Sequence, residues 1–254
     1  RYEMPTLYMG ASTETIAPYV IFSGDPWRVE VLKKYLDDPK HVAFMREFNT
    51  YTGTYQGVPV TVSSTGMGAP TAAIALEEMY EAGMRVAVRM GTSMSLQDDM
   101  LGHFLIPMAA MRREQTSATY VEQSYPAVAD IDLVNTMNAV VTRHGKRYLN
   151  GIFCTMDGFY TQMHDSKFSL EFGRNMQDTF DELRKLKVTG IDMETSCILT
   201  VARLMGVKAC ALTLCTVLEN LKDTMKGQER TDGEDLLCRV ALEGIVDYHN
   251  THGA

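Results

Sequence analysis

Short runs of hydrophobic residues alternate along this chain with longer segments in which hydrophobic residues recur every three or four positions. The first pattern is typical of buried strands and the second of amphipathic helices. Strands are predicted over residues 18–23, 58–62, 85–90, 103–110, 148–155 and 208–217. Helices are predicted over residues 27–36, 70–82, 130–143, 169–186, 193–205 and 233–248. The alternation of the two element types indicates an α/β fold.

A hairpin pattern interrupts this alternation. Residues 52–55 and 58–62 are joined by Gln56 and Gly57, a pair that suits a tight antiparallel turn. The sheet is therefore predicted to be mixed and not purely parallel. Because no proline-rich linker, internal repeat or break in composition divides the chain, residues 1–254 are predicted to form a single domain. Loops at the C-terminal ends of the strands are expected to carry the functional site.

Composition narrows the range of partners. With 45% hydrophobic residues in 254, the chain can bury a substantial core. A formal net charge of −8 repels nucleic acids and anionic membranes, so an anionic ligand must be held by local positive charge. The five cysteines are odd in number and lack CxxC spacing, which predicts reduced thiols in a cytoplasmic protein. No basic segment precedes a long apolar run, so neither secretion nor membrane insertion is expected.

Glycine and arginine recur where predicted strands end. Gly24 and Arg28 follow the first strand around Pro26, and a glycine-rich turn over residues 63–71 leads into the next helix. Glycine lets a backbone approach an oxyanion, and a helix N-terminus and arginine both favour negative charge. The strand at 86–93 ends in Arg89, Gly91 and Thr92, and Arg46 adds a further cation. Any one of these turns could be a packing turn or a solvated charge, but together they predict a phosphate site.

An acidic strand-to-helix transition at residues 190–196 offers the second kind of chemistry. Its carboxylates could simply cap the helix that follows. Alternatively, one carboxylate accepts hydrogen bonds from paired sugar hydroxyls while the adjacent methionine packs on the apolar face of the sugar. A phosphate site beside a diol acceptor points to a ribosyl substrate.

Seven segments carry a more specific resemblance when they are taken in order: GDPWRV, REF before the hairpin, STGMGAP, RMGTS, YPAVAD, DGFY and DMET. In order and spacing, from about residue 6 to 248, they resemble the nucleoside phosphorylase-I family, in particular its uridine phosphorylase branch. The resemblance implies a three-layer α/β/α sandwich with a central mixed sheet and a hexamer built as a trimer of dimers. It also implies a pentosyltransferase that converts a nucleoside and inorganic phosphate into free base and ribose 1-phosphate, with no redox cofactor.

The resemblance assigns roles residue by residue. Phosphate would be bound by Gly24, Arg28, Arg89 and Thr92, with Arg46 lent by a neighbouring subunit. Ribose would be bound by Met193 and Glu194, with Tyr8 of a neighbouring subunit where relatives have histidine. The base would meet Phe159, Gln162, Lys167 and Met94, Lys167 standing where one spacing variant has arginine. The catalytic residues would be Arg89, Glu194, Gln162 and Lys167, and a potassium ion could sit at Glu47, Met67 and Thr71.

The identity of the base leaves alternatives open. The long segment between Phe159 and Met193 favours the pyrimidine branch and hence uridine or a related nucleoside. His164 is a second candidate partner for the base. In a purine nucleoside phosphorylase, Glu219 would protonate the base with Arg230 nearby, whereas a solvated loop carboxylate is the alternative reading of Glu219. Two further alternatives would not consume phosphate. One is a nucleoside hydrolase on the same fold, and the other is a non-catalytic nucleoside-binding protein with a pocket altered at Tyr8 and Met94.

Overall fold

Strands and helices alternate through most of the chain in a computed structural model that describes residues 4–219 and 223–253. The strands are β1 (Tyr19–Ser23), β2 (Asp37–Met45), β3 (Phe48–Tyr55), β4 (Val58–Ser64), β5 (Val86–Ser95), β6 (Phe104–Leu105), β7 (Ala109–Arg113), β8 (Ala127–Val128), β9 (Tyr148–Leu149), β10 (Ile152–Met156), β11 (Val188–Asp192) and β12 (Lys208–Leu218). The α-helices are α1 (Pro26–Lys33), α2 (Ala69–Glu81), α3 (Ile131–Arg143), α4 (Lys167–Glu171), α5 (Met176–Lys185), α6 (Thr195–Met205) and α7 (Gly227–His252).

All of these strands belong to one mixed sheet. Its main path runs in the order β2, β3, β4, β1, β5, β11, β10, β7 and β8, while β12 pairs with β5 and β6, and β6 pairs with β9. The β1–β4, β1–β5, β5–β12 and β10–β11 pairs are parallel, whereas β2, β3 and β4 form an antiparallel meander. The prediction of a mixed sheet is therefore confirmed.

Strand β5 belongs to two parts of the sheet. Its first residues pair in parallel with β1, where Arg89 lies opposite Phe22, and its last residues pair antiparallel with β11. Strand β11 consequently runs back along β5, which carries the end of β11 toward Arg89. On its other side β11 pairs with β10, and there a glycine is required at position 190, because a Cβ would lie 2.6 Å from Cε1 of Phe153.

Local differences from the predicted elements have simple causes. The predicted hairpin is present, and Gln56 and Gly57 adopt φ angles of 48° and 81°, as the tight turn requires. The helix predicted over 169–186 is divided into α4 and α5, since Gly173 adopts a left-handed φ of 84° between them. Strand β2 was absent from the predicted strands because it is mostly exposed, so its sequence lacks a buried pattern.

Helices pack in pairs against the sheet. Helix α2 contacts α6, helix α3 contacts α7, and both α6 and α7 contact β12, in keeping with the predicted three-layer arrangement. The main core includes fully buried Phe22, Val88 and Leu76, and a second cluster around Met94, Met163 and Leu183 packs α5 against β11. Among the described residues, none of the helices combines the length and the hydropathy needed to cross a membrane.

Candidate active site

A cleft of about 850 Å³ opens where β1, β4, β10 and β11 end, along the middle of β5. Its position agrees with the expectation that strand ends carry the site. Several residues singled out from the sequence line it together: Gly24, Arg28, Met67, Arg89, Thr92, Met94, Phe159, Met193 and Glu194.

Arg89 is the central cation of the cleft. Its side chain is only 12% exposed, its Nη2 lies 2.8 Å from Oε2 of Glu194, and its Nε lies 3.6 Å from Oδ2 of Asp192. Burial alone would lower the pKa of Arg89, but the two carboxylates outweigh burial, so the pKa is raised and the guanidinium stays charged. Its Nη1 is buried without a hydrogen-bond partner in the described part of the chain. A buried charged donor without a partner calls for an explanation, and an anion bound in the cleft beside Arg89 would supply the missing acceptor.

Glu194 ties two helix starts to this arginine. It occupies the N-cap position of α6, and its Oε1 accepts a hydrogen bond from the backbone N–H of Gly68 at 3.0 Å. Gly68 precedes α2 and adopts a φ of 99°, so the turn that presents its N–H favours glycine. Oε2 also receives the backbone N–H of Met193 at 3.3 Å. The carboxylate is thus held in a fixed place and, because each oxygen can accept more than one hydrogen bond, it can still receive hydroxyl groups.

Asp192 forms a buried frame behind Arg89 and Glu194. It accepts hydrogen bonds from the Thr155 hydroxyl at 2.7 Å, from the Thr195 backbone N–H at 3.0 Å and from the Thr195 hydroxyl. Burial raises the pKa of Asp192, an effect that Arg89 opposes and Glu194 reinforces. Thr155 in turn accepts the backbone N–H of Ser196 at 2.9 Å.

Asp192 was identified from the sequence only as part of a motif, and Thr155 was not identified at all. The pattern of β10 gives no signal for the threonine, because a buried threonine in a strand looks like any β-branched core residue. Glu114 was missed as well, although it is fully buried and accepts a hydrogen bond from Ser196 Oγ at 2.9 Å. Ser196 lies 82 positions further along the sequence, so no local spacing could reveal this contact.

The turn after β1 supplies a second cation. Asp25 caps α1 by accepting the backbone N–H of Trp27 at 2.9 Å, and Arg28 projects from the first turn with its side chain 16% exposed. Glu234 of α7 lies 3.5 Å from Nη2 of Arg28 and 2.9 Å from Nε of Arg230, which also lines the cleft. Glu234 was not among the predicted residues, since it lies in the amphipathic pattern of a long helix.

The opposite end of the cleft is apolar and rich in methionine. Beside Met94 and Phe159, its walls include Met163, Ile191 and Val217, which the sequence did not single out. Residues Phe159–Met163 form one turn of π-helix, and the ring of His164 stacks on that of Phe159 with 5.6 Å between centroids. A flat, apolar ligand group fits such walls.

Several predicted base contacts lie outside this end. Gln162 does not line the cleft, and its Oε1 accepts the backbone N–H of Gly158 at 2.8 Å. The Lys167 side chain is 90% exposed at the start of α4, and its Nζ lies 4.0 Å from Glu171. Glu219 is also absent from the cleft walls. It pairs with Arg184 and its side chain is 14% exposed, so it is not a solvated carboxylate either.

Tyr8 and Arg46 lie together outside the cleft. Cζ of Arg46 is 5.4 Å from the centroid of the Tyr8 ring, and Arg46 stands on the exposed turn between β2 and β3. Near that turn, Glu47 packs so closely on Gly66 that a Cβ there would lie 2.8 Å from its Cγ. The Thr71 hydroxyl donates to the carbonyl oxygen of Gly68 at 3.1 Å.

Comparison with known proteins agrees with this geometry. Residues 18–243 match the model of the phosphorylase superfamily. The chain is 36% identical to a uridine phosphorylase from Thermococcus kodakarensis over 231 residues, which cover 91% of this chain and 82% of the relative. It is 30% identical to a guanosine phosphorylase from Halorubrum lacusprofundi, over 89% of this chain and 87% of the relative. A crystal structure of uridine phosphorylase from Vibrio fischeri superposes with a TM-score of 0.86 at 28% identity, covering 97% of this chain and 99% of that one.

Proposed function

The chain belongs to the phosphorylase superfamily, and from that premise we propose that it catalyses the phosphorolysis of uridine or a closely related pyrimidine nucleoside. As a pentosyltransferase, it moves the ribosyl group from the base to inorganic phosphate. The observation that carries the proposal is the half-paired Arg89: it lines the same cleft as Arg28, its Nη2 holds Glu194, and its Nη1 has no hydrogen-bond partner among the described residues.

The proposed mechanism relies on the placement of charge. The bond between C1′ and the base nitrogen breaks with its electron pair leaving on the base, and a phosphate oxygen attacks C1′ from the opposite face. Arg28 and Arg89, with Gly24 and Thr92, hold the phosphate in line for this attack. Glu194 accepts hydrogen bonds from the ribose hydroxyls beside Met193. Phe159 and the methionine-rich end cover the base.

The active unit is proposed to contain at least two subunits of one domain each. Tyr8 and Arg46 lie side by side on the surface and away from their own cleft, as expected of residues that complete the site of a neighbouring subunit. A trimer of dimers is the assembly proposed from the resemblance. We also propose that a potassium ion binds beside Glu47, Met67 and Thr71 and that the enzyme needs no other cofactor. Its proposed location is the cytoplasm.

The direct test measures release of base from a panel of nucleosides with and without phosphate. We expect uracil and ribose 1-phosphate only when phosphate is present. Arg89→Ala should abolish this activity because the buried phosphate donor is lost, whereas Arg85→Ala, at an exposed arginine just before β5, should retain it. Equal base release without phosphate would identify a hydrolase, and near-wild-type activity of Arg89→Ala would refute the mechanism.

Mixing two inactive variants tests the shared site. In a hybrid dimer of Arg89→Ala and Arg46→Ala subunits, one of the two sites regains both arginines. If dimers form at random after subunit exchange, about a quarter of all sites become complete. No recovery of activity after verified exchange would contradict a contribution of Arg46 across the interface.

A further inference from the structure

The apolar end of the cleft contains a histidine whose two ring nitrogens differ in their hydrogen bonding. His164 lines the cleft together with Phe159, Met163 and Val217. Its ring stacks on Phe159 with an interplanar angle of 16° and meets the Tyr160 ring edge to face, with 6.1 Å between centroids. Contacts with two aromatic rings restrict how the imidazole can turn.

The backbone determines which nitrogen of His164 carries the proton. Nδ1 lies 2.7 Å from the carbonyl oxygen of Asp165. Because a carbonyl oxygen can only accept, Nδ1 must be the donor in this hydrogen bond. The neutral ring then has a bare Nε2 that acts as an acceptor, and within residues 4–219 and 223–253 no side chain or backbone group donates to Nε2.

The residues first expected to hold the base are less well placed than His164. The oxygen of the Gln162 side chain is occupied by the backbone N–H of Gly158, and the Lys167 ammonium lies in solvent near Glu171. His164 is therefore the predicted base contact with both a place in the cleft wall and a free ring acceptor.

We propose that Nε2 of His164 accepts the imide N–H of the base and thereby determines base specificity. This inference rests on the proposed function and concerns the same cleft. It predicts preference for bases in which an N–H lies between two carbonyl groups, as N3 does in uracil and thymine. A base with a bare ring nitrogen at that place, such as cytosine, or with a methyl group on N3 leaves the Nε2 acceptor unpaired in an apolar wall.

The test compares uridine with N3-methyluridine in the wild type and in variants. The wild type should favour uridine in kcat/KM by about 10- to 100-fold, the range expected for one unpaired polar group. His164→Phe keeps a ring against Phe159 and removes the acceptor, so it should lose most of this preference by slowing uridine alone. His164→Gln, whose Oε1 can take the place of Nε2, should restore part of it. Lys185→Met, at an exposed position of α5, is the matched control and should leave the preference unchanged. Lys167→Met tests the residue first expected to hold the base.

The outcomes separate this inference from the proposed function. A wild type that cleaves no pyrimidine nucleoside with phosphate overturns both. A wild type that cleaves uridine while His164→Phe keeps the full preference overturns the role of His164 alone, since the preference would then reflect the bulk of the methyl group. Loss of preference in Lys167→Met, with His164→Phe unaffected, would return the role to Lys167.

A second measurement observes the unmodified chain, and one variant serves only to assign the signals. In protein labelled with ¹⁵N at its histidines, the His164 signals, identified by their absence from His164→Gln, should show a protonated Nδ1 and a bare Nε2. Addition of uracil with ribose 1-phosphate should shift the Nε2 signal. A proton on Nε2 in the neutral ring would overturn the proposed direction of the hydrogen bond.

Discussion

Thr155 tests whether the buried frame behind the cleft is held by hydrogen bonds or by packing alone. Its hydroxyl donates to Oδ1 of Asp192 at 2.7 Å and accepts the backbone N–H of Ser196 at 2.9 Å. Thr155→Val keeps nearly the same shape and removes both bonds. Ser196 lies in the first turn of α6, where its N–H has no partner within the helix, so that N–H becomes a buried and unsatisfied donor.

The expected cost follows from the two hydrogen bonds that the substitution removes. An unsatisfied buried polar group costs about 1–3 kcal/mol, and more when it is charged. The carboxylate of Asp192 keeps its contacts with Thr195 and Arg89, so its contribution to the cost lies toward the low end of that range. We therefore expect Thr155→Val to lower the free energy of unfolding by about 2–5 kcal/mol.

The chain provides a closely matched control. Thr200 in α6 is as fully buried as Thr155, but its hydroxyl has no hydrogen-bond partner among the described residues. Thr200→Val removes an unpaired polar atom, so it should change the free energy of unfolding by less than about 0.5 kcal/mol or increase it. Urea unfolding of both variants at one protein concentration measures the difference. Equal effects of the two substitutions would refute the hydrogen-bond argument.

Two further predictions concern titratable groups. The side chains of Lys33, Asn49 and Tyr51 lower the pKa of Glu30 from 4.5 to about 2, so its stabilising effect is complete above the ordinary pKa and is lost as the pH falls through about 2. Glu30→Gln should lower the free energy of unfolding by up to ~3 kcal/mol near neutral pH and very little near pH 2. Glu14→Gln, at an exposed site, is the control and should show no such dependence on pH. An equal loss in Glu30→Gln at both pH values would contradict the prediction. Burial raises the pKa of all five cysteine thiols. The native protein should therefore react slowly with a thiol-specific disulfide reagent, whereas the unfolded protein should react at all five thiols. Rapid labelling of the native protein would contradict the burial of the thiols.

Much of the fold and of the anion-binding wall could be predicted from the sequence because the signals are local. A buried strand that ends in glycine and arginine appears as a contiguous segment, and Gly24, Arg28 and Arg89 do line one cleft. The break between α4 and α5 was missed because the amphipathic pattern continues on both sides of Gly173. The end of α4 is made by local backbone hydrogen bonds around that glycine, such as the one from the N–H of Arg174 to the carbonyl oxygen of Ser169 at 3.0 Å.

Sequence by itself therefore determined the order of most of the buried elements, the mixed sheet and the residue types available at the strand ends. Tertiary structure decided which of them meet. The antiparallel pairing of β11 with β5 brings Glu194 to Arg89 across 105 positions of sequence, and the path of the π-turn lines the cleft with His164 while Lys167 stays in solvent. Local hydrophobic patterns specify which face of an element is buried, but the pairing of distant strands and the direction of a loop depend on contacts that no short segment contains.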